Sequence, residues 1–306
     1  MTIPDRSHIT TEQRNPRSEH LSRASIEECL RLMQDEDQAV LAALASARPA
    51  LAEFITAVEP RFARGGRLVY LGAGTSGRLG VLDASEAPPT FQIAPDRIIG
   101  IIAGGDGSLR RSSEGKEDDP AGALPELERL GLGADDAVLG IAAGGTTPYV
   151  LGALAWAAAR PARPLTALLS CAPVPRPTGA DHLIVLPTGP EVLTGSTRLK
   201  AGTATKLALN QISTTLMVRM GKAYGNLMVD VRASNDKLRD RAARIIATVL
   251  GIGRDEAFTA LDEAGGAVKT AIAMRRLGLP RSQAEAHLTA HGGRLDSALN
   301  AMVDPQ

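Results

Sequence analysis

Residues 67–91, RLVYLGAGTSGRLGVLDASEAPPTF, constrain this chain more than any other stretch. A short apolar run, Leu68-Val69-Tyr70-Leu71, has strand character and empties into Gly72-Ala73-Gly74-Thr75-Ser76-Gly77, a turn rich in glycine and hydroxyls. Helix-like sequence follows, with Leu79, Val81 and Leu82 as apolar points, and ends at Glu86 before a Pro88-Pro89 stop. A strand feeding a glycine turn that opens a helix gathers free backbone N–H groups and the positive helix end in one place, which makes an anion site. The turn also satisfies G-x-G-x-x-G, the pattern of dinucleotide folds. Those folds want an acidic residue at the end of the next strand. Here the next apolar run, 98–102, ends in Ala103-Gly104-Gly105, and Asp106 comes late. Thr75 and Ser76 suit a compact phosphomonoester, whose oxygens accept from both N–H and O–H donors, so a phosphate or phosphosugar is favoured over a dinucleotide.

The motif sits in a repeating pattern. Between about 67 and 220, apolar runs recur at 68–71, 98–102, 137–141, 165–169 and 183–186, several followed by helical sequence. Strands alternating with helices imply an α/β fold with a parallel sheet covered on both faces. The turn after 137–141, Ala142-Ala143-Gly144-Gly145-Thr146-Thr147, repeats the small-then-hydroxyl order of the first, and Thr194-Gly195-Ser196-Thr197 precedes a long helix expected over 200–220. Ligands of open α/β sheets bind beyond the carboxyl ends of the strands. Three loops therefore converge there, offering Gly74, Thr75, Ser76, Gly145, Thr146, Thr147, Ser196, Thr197 and Lys200, with Arg198 beside them, as phosphate or substrate contacts.

The flanks are helical. Residues 1–24 read as an extended polar arm ordered by a partner. Ser25-Ile26-Glu27-Glu28 is a capping box that starts one helix, and a second is expected over 37–62, broken or kinked at Pro49. Residues 221–236 read as a connector. From Leu238 onward, glycines cut the sequence into three or four short helices. The expected organisation is an arm with helices at 1–62, a sugar-phosphate domain at 63–225 and a helical bundle at 238–306.

Composition excludes several classes. Lys+Arg and Asp+Glu both number 34, so no global field attracts nucleic acid or a membrane surface. Aromatic content of 3% argues against base stacking. Cys29 and Cys171 form no motif, which reads as a reduced, cytoplasmic setting, and the apolar segment 150–159 is too short to span a bilayer. His287 and His291 stand i,i+4, but no acidic neighbour completes a zinc motif, so no metal is expected.

Two acidic features bear on chemistry. Glu86, between apolar residues and a double proline, opposes the helix dipole, and burial there would raise its pKa and make it a proton donor. Glu114, Glu117, Asp118 and Asp119 form a cluster from which side-chain chemistry alone selects none; acids in a helix's first turn are common.

Longer stretches carry a resemblance. Leu71-Gly72-Ala73-Gly74-Thr75-Ser76-Gly77-Arg78-Leu79-Gly80, Leu82-Asp83-Ala84-Ser85-Glu86-Ala87-Pro88-Pro89-Thr90, the run from Glu191 to Thr203 and Gly225-Asn226-Leu227-Met228-Val229-Asp230 resemble the N-acetylmuramic acid 6-phosphate etherases. The resemblance covers nearly the whole chain. It implies a sugar-isomerase (SIS) fold with a five-stranded parallel sheet between helices, a small C-terminal bundle similar to ubiquitin-associated domains, and a homodimer with its active site near the subunit interface. It implies cleavage of the lactyl ether to N-acetylglucosamine 6-phosphate and D-lactate without a metal or organic cofactor, in cell-wall sugar recycling. It implies two catalytic glutamates, Glu86 and, from Glu114-Gly115-Lys116-Glu117-Asp118, Glu117. The second loop departs from the A-S-G-R-T-P of that family: Gly144 and Thr146 stand where it has a serine and an arginine. Rival readings are a non-catalytic sugar-phosphate sensor similar to glucokinase regulatory protein and an aldose–ketose phosphate isomerase.

Overall fold

The computed structural model describes residues 5–231 and 235–301, with the side chain of Glu114 outside that description. The described residues divide into two compact units, one falling within 1–85 and 95–213, the other within 86–94 and 214–306.

The first unit is built on five parallel strands: β1 (Leu68–Gly72), β2 (Ile98–Ile102), β3 (Ala137–Ile141), β4 (Leu165–Ser170) and β5 (His182–Val185), in the order β2-β1-β3-β4-β5. β1, β3 and β4 are buried at every position, as continuous apolar runs in a doubly covered sheet should be. The helices are α1 (Ile26–Ala63), α2 (Gly74–Phe91), α3 (Gly107–Arg110), α4 (Leu124–Leu130), α5 (Pro148–Ala158) and α6 (Lys200–Arg219). The last turns of α2, from Glu86, and the end of α6 belong to the second unit.

Three expectations change here. The two helices expected over 25–62 are one, α1, 38 residues long. Pro49 fails to break it because the alanines around it favour helix and the carbonyl it deprives, that of Ala45, belongs to an exposed residue that water can serve. The capping box is half used: Ser25 Oγ accepts from Glu28 N at 3.2 Å, while the Glu28 carboxylate meets His20 instead. α1 is also long and apolar enough, by length and composition, to cross a bilayer. Its Leu44, Leu51, Phe54, Val58 and Phe62 are buried, and it packs on β4 and β5. Second, Pro88-Pro89 does not stop α2, which runs on to Phe91. Both prolines lie in its last turns, and Gln92 N still closes on Pro88 O at 2.9 Å before Gln92 turns to φ +52°. Third, the N-terminal arm is ordered on its own chain. Its first two short 3₁₀ turns, with the residues that cap them, bury Ile9, Thr11, Asn15 and Ser18, and Ser18 Oγ donates to Val192 O at 2.7 Å.

In the second unit, the expected connector holds a two-stranded antiparallel ribbon, β6 (Ala223–Tyr224) and β7 (Leu227–Met228), turned at Gly225-Asn226 with Gly225 at φ +56°. Then come α7 (Asp236–Leu250), α8 (Arg254–Glu263), α9 (Val268–Leu277), α10 (Arg281–Ala290) and α11 (Leu295–Asn300), five helices among the described residues where three or four were expected. Gly251 and Gly278 end α7 and α9 in left-handed caps. The core is mostly alanine, isoleucine and leucine, so the helices sit close together.

Candidate active site

The loop after β1 is shaped by its outer glycines. A side chain on Gly72 would meet Gly77 N at 2.8 Å, and one on Gly77 would meet Gly72 O at 2.6 Å and Ile102 Cγ1 at 2.7 Å. The strand end and the first turn of α2 therefore touch backbone to backbone. Gly74, at φ +52°, makes the turn. Thr75 and Ser76 then fall in the first helical turn, beside N–H groups that have no intrahelical partner. The second loop reaches the same place by other means. Gly145 turns at φ +73° with Val174 and Ser170 packed where a side chain would be, and Thr147 stands before α5 with its hydroxyl making no capping bond and Pro148 at the first helical position.

These loops close around a cavity of about 250 Å³ at the C-terminal strand ends. It is lined by Gly74, Thr75 and Ser76 from the first loop, Thr146 and Thr147 from the second, Gly195 and Thr197 from the third, and Glu117 with Asp118. The hydroxyls of Thr75, Ser76, Thr146, Thr147 and Thr197 make no hydrogen bond to another described residue. Glu117 is exposed into this space, and its segment is fixed at the backbone, where Tyr149 N donates to Glu117 O at 3.0 Å. Arg78 Nε, donating to Leu109 O at 3.2 Å, ties the loop leading to Glu117 back to α2.

Other candidates lie elsewhere. Gly145 and Ser196 belong to the loops but do not line the cavity. Lys200 is 3% exposed, and its ammonium is bound to the Glu36 carboxylate, which also holds Arg17 at 3.1 Å. Burial works against the charge on Glu36, but Lys200 and Arg17 outweigh it and hold that carboxyl below its usual range. The start of α6 is occupied as well: Glu191, fully buried, accepts from Lys200 N at 3.1 Å and Ala201 N at 2.9 Å. The third loop thus offers Thr197 but no free helix end. Burial pushes the Glu191 carboxyl up.

Glu86 is exposed rather than buried, and it does not line the cavity. α2 is continuous, so Glu86 stands about 15 Å along its axis from Ser76. The buried acid of this stretch is Asp83, one turn earlier, which accepts from Tyr70 at 3.0 Å, Asn210 at 2.7 Å and Ser213 at 3.1 Å. His287 and His291 are partnered inside the bundle, through Ala298 O and His287 O, both at 2.8 Å. Among the described residues no three metal-binding side chains cluster.

Comparison with known proteins separates the readings. A model of the glucokinase regulatory protein N-terminal SIS domain matches residues 50–158. The N-acetylmuramic acid 6-phosphate etherase of Synechococcus sp. (strain CC9605) is 53% identical over 298 residues, 97% of this chain and 94% of that one. That of Gloeobacter violaceus is 50% identical over 301 residues, 98% of each chain. The chain belongs to the N-acetylmuramic acid 6-phosphate etherase family. The regulatory-protein match stops at residue 158, before the third loop and the bundle, whereas the etherases align almost throughout.

The candidate site has one wall absent from the sequence reading: Arg6, Ile9 and Glu12 of the N-terminal arm also line the cavity. A side chain on Gly144 would lie 3.5 Å from Ile9 Cγ2, and one on Gly195 would lie 3.3 Å from Glu12 Oε2. The arm therefore crosses the second and third loops. The sequence signal was weak, since Ile9 is one of several apolar residues, with Ile3 and Leu21, in a mostly polar arm.

Proposed function

We propose that this chain cleaves the D-lactyl ether of N-acetylmuramic acid 6-phosphate, giving N-acetylglucosamine 6-phosphate and D-lactate in cell-wall amino-sugar recycling. One observation carries the reading beyond family membership: five unengaged hydroxyls and Glu117 share one cavity at the strand ends. A phosphate ester accepts hydrogen bonds from hydroxyls and helix N–H groups, and a carboxylate beside it has a proton-transfer task.

Ring opening exposes an aldehyde at C1 and makes the C2 proton acidic. Glu117 takes that proton. Glu86 protonates the lactyl oxygen as its bond to C3 breaks, releasing D-lactate and an unsaturated aldehyde. Water then adds at C3, a proton returns to C2 and the ring closes. The elimination breaks the C3–O bond and the hydration forms a new one, and each needs a proton taken at one atom and given at another, which fits two carboxylates.

The position of Glu86 on α2 favours its serving the cavity of a second copy in a homodimer. An apolar stripe on α1 supports the dimer: Ile26, Leu30, Met33 and Leu41 are 84%, 54%, 39% and 69% exposed. The two cysteines are free thiols, in keeping with a cytoplasmic setting.

The test is incubation with N-acetylmuramic acid 6-phosphate and an enzymatic lactate assay. Lactate release supports the reading. Binding without lactate would leave a sensor, and a ketose product an isomerase. Mixed dimers of Glu86→Gln with a Thr75→Val, Ser76→Ala partner regain part of the activity if Glu86 acts across the interface; no recovery would remove that assignment.

A further inference from the structure

We propose that Arg6, from the N-terminal arm, is the cation that binds the substrate's phosphate in this cavity. The proposal rests on the sugar-phosphate reading above. Among the described residues, four ionisable side chains line the cavity: Arg6, Glu12, Glu117 and Asp118. Three are carboxylates. Without Arg6 the lining would carry about three negative charges, and a phosphomonoester dianion that also bears a lactyl carboxylate would meet only repulsion from them. Hydroxyls and helix N–H groups supply hydrogen bonds and partial charge, but among the described lining residues only Arg6 supplies a full positive charge. Lys200, the cation that the sequence places nearest the third loop, is buried against Glu36.

Arg6 is available and held in place. Its guanidinium makes no hydrogen bond or ion pair with another described residue, whereas Arg17, Arg64 and Arg67 are all engaged. Its backbone belongs to a fixed turn: Ile9 N donates to Arg6 O at 2.9 Å, and Glu12 N to Ile9 O at 2.9 Å. Ile9 is 4% exposed and Thr11 fully buried. Further along, Asn15 Nδ2 donates to Pro190 O at 3.3 Å and Ser18 Oγ to Val192 O. The arm is thus pinned to the segment that leads into the third loop, with its first turn in the cavity wall. A guanidinium presents paired N–H donors that match phosphate oxygens.

The experiment uses the full chain and three probes: inorganic phosphate, N-acetylglucosamine 6-phosphate and N-acetylmuramic acid 6-phosphate. Calorimetry follows binding of the first two, and lactate release follows the third, for the wild type, Arg6→Met and Arg6→Lys. Arg6→Met should weaken both phosphate-bearing ligands about tenfold or more and raise KM with little change in kcat. Arg6→Lys should recover part of the loss. The wild-type affinity should fall with added salt more steeply than that of Arg6→Met. Thermal melting of both variants should follow the wild type, since the side chain is exposed. Equal phosphate affinity in wild type and Arg6→Met overturns the proposal whatever the turnover. Phosphate binding that depends on Arg6, with no lactate released by the wild type, sinks the etherase reading and leaves Arg6 standing. A wild type that binds no phosphate overturns both.

Discussion

The two ends of the parallel sheet treat polar groups in opposite ways. At the N-terminal strand ends they are closed on one another. Arg67, just before β1, holds Asp136, just before β3, through Nε at 3.0 Å and Nη2 at 2.6 Å, and donates its own N–H to the same carboxylate at 2.8 Å. Arg97, before β2, donates to Gly66 O and stacks on the Phe62 ring. Asp181, before β5, accepts from the backbone and hydroxyl of Thr166. At the C-terminal ends the hydroxyls of five residues and the guanidinium of Arg6 take no partner among the described residues. The difference separates stability from function. A closed polar pair near a sheet end fixes strand register, while an open set of donors stabilises nothing until a ligand arrives.

The sharpest way to break this contrast is at Glu117. Glu117→Gln should lower lactate release by about 10²- to 10⁴-fold with thermal stability changed little; steady-state kinetics and a melt decide. Asp136→Asn, at the closed end, should do the reverse. Leaving Arg67 without its carboxylate should cost about 3 kcal/mol in urea unfolding, with kcat unchanged well below the melting temperature.

Asp136 also predicts a pH dependence. Burial raises its pKa, but Arg67 and the Gly133 and Arg67 N–H groups outweigh burial and hold the carboxyl below the ordinary value near 3.8. A depressed folded-state pKa contributes stability above the unfolded value, and that contribution is lost as pH falls through the folded one. Urea midpoints should therefore fall with acid below about pH 4, and Asp136→Asn should fall less steeply over that window. A wild-type curve parallel to that of the variant would count against this pairing. The smallest effect tests the seam between the arm and the second loop. Thr11 Oγ1 is buried with no partner among the described residues. Thr11→Val should be neutral or stabilising by up to about 1 kcal/mol in the same assay.

Local patterns made much of the molecule legible. Continuous apolar runs marked all five strands within a residue or so, and the order of glycine before hydroxyl marked the first two loops. The limits of α1 and α2 were not legible. A proline costs a helix one hydrogen bond, and whether that bond matters depends on what surrounds the orphaned carbonyl. Lys200 and Arg6 show the same limit for charge: the lysine was adjacent to the right loop and is bound to Glu36, while the arginine was remote and lines the cavity.

The opening stretch by itself determined a strand, a backbone-to-backbone turn and a helix start with Thr75 and Ser76 at its mouth, because those follow from glycine sterics and N–H geometry within a few residues. The family followed from the sequence too, through motifs spread along the chain. Only the tertiary structure decided which donors remain open. A side chain's freedom depends on every neighbour that could claim it, and those neighbours lie far away in the chain: Glu36 for Lys200, Glu191 for the start of α6, and the N-terminal arm for the wall of the site.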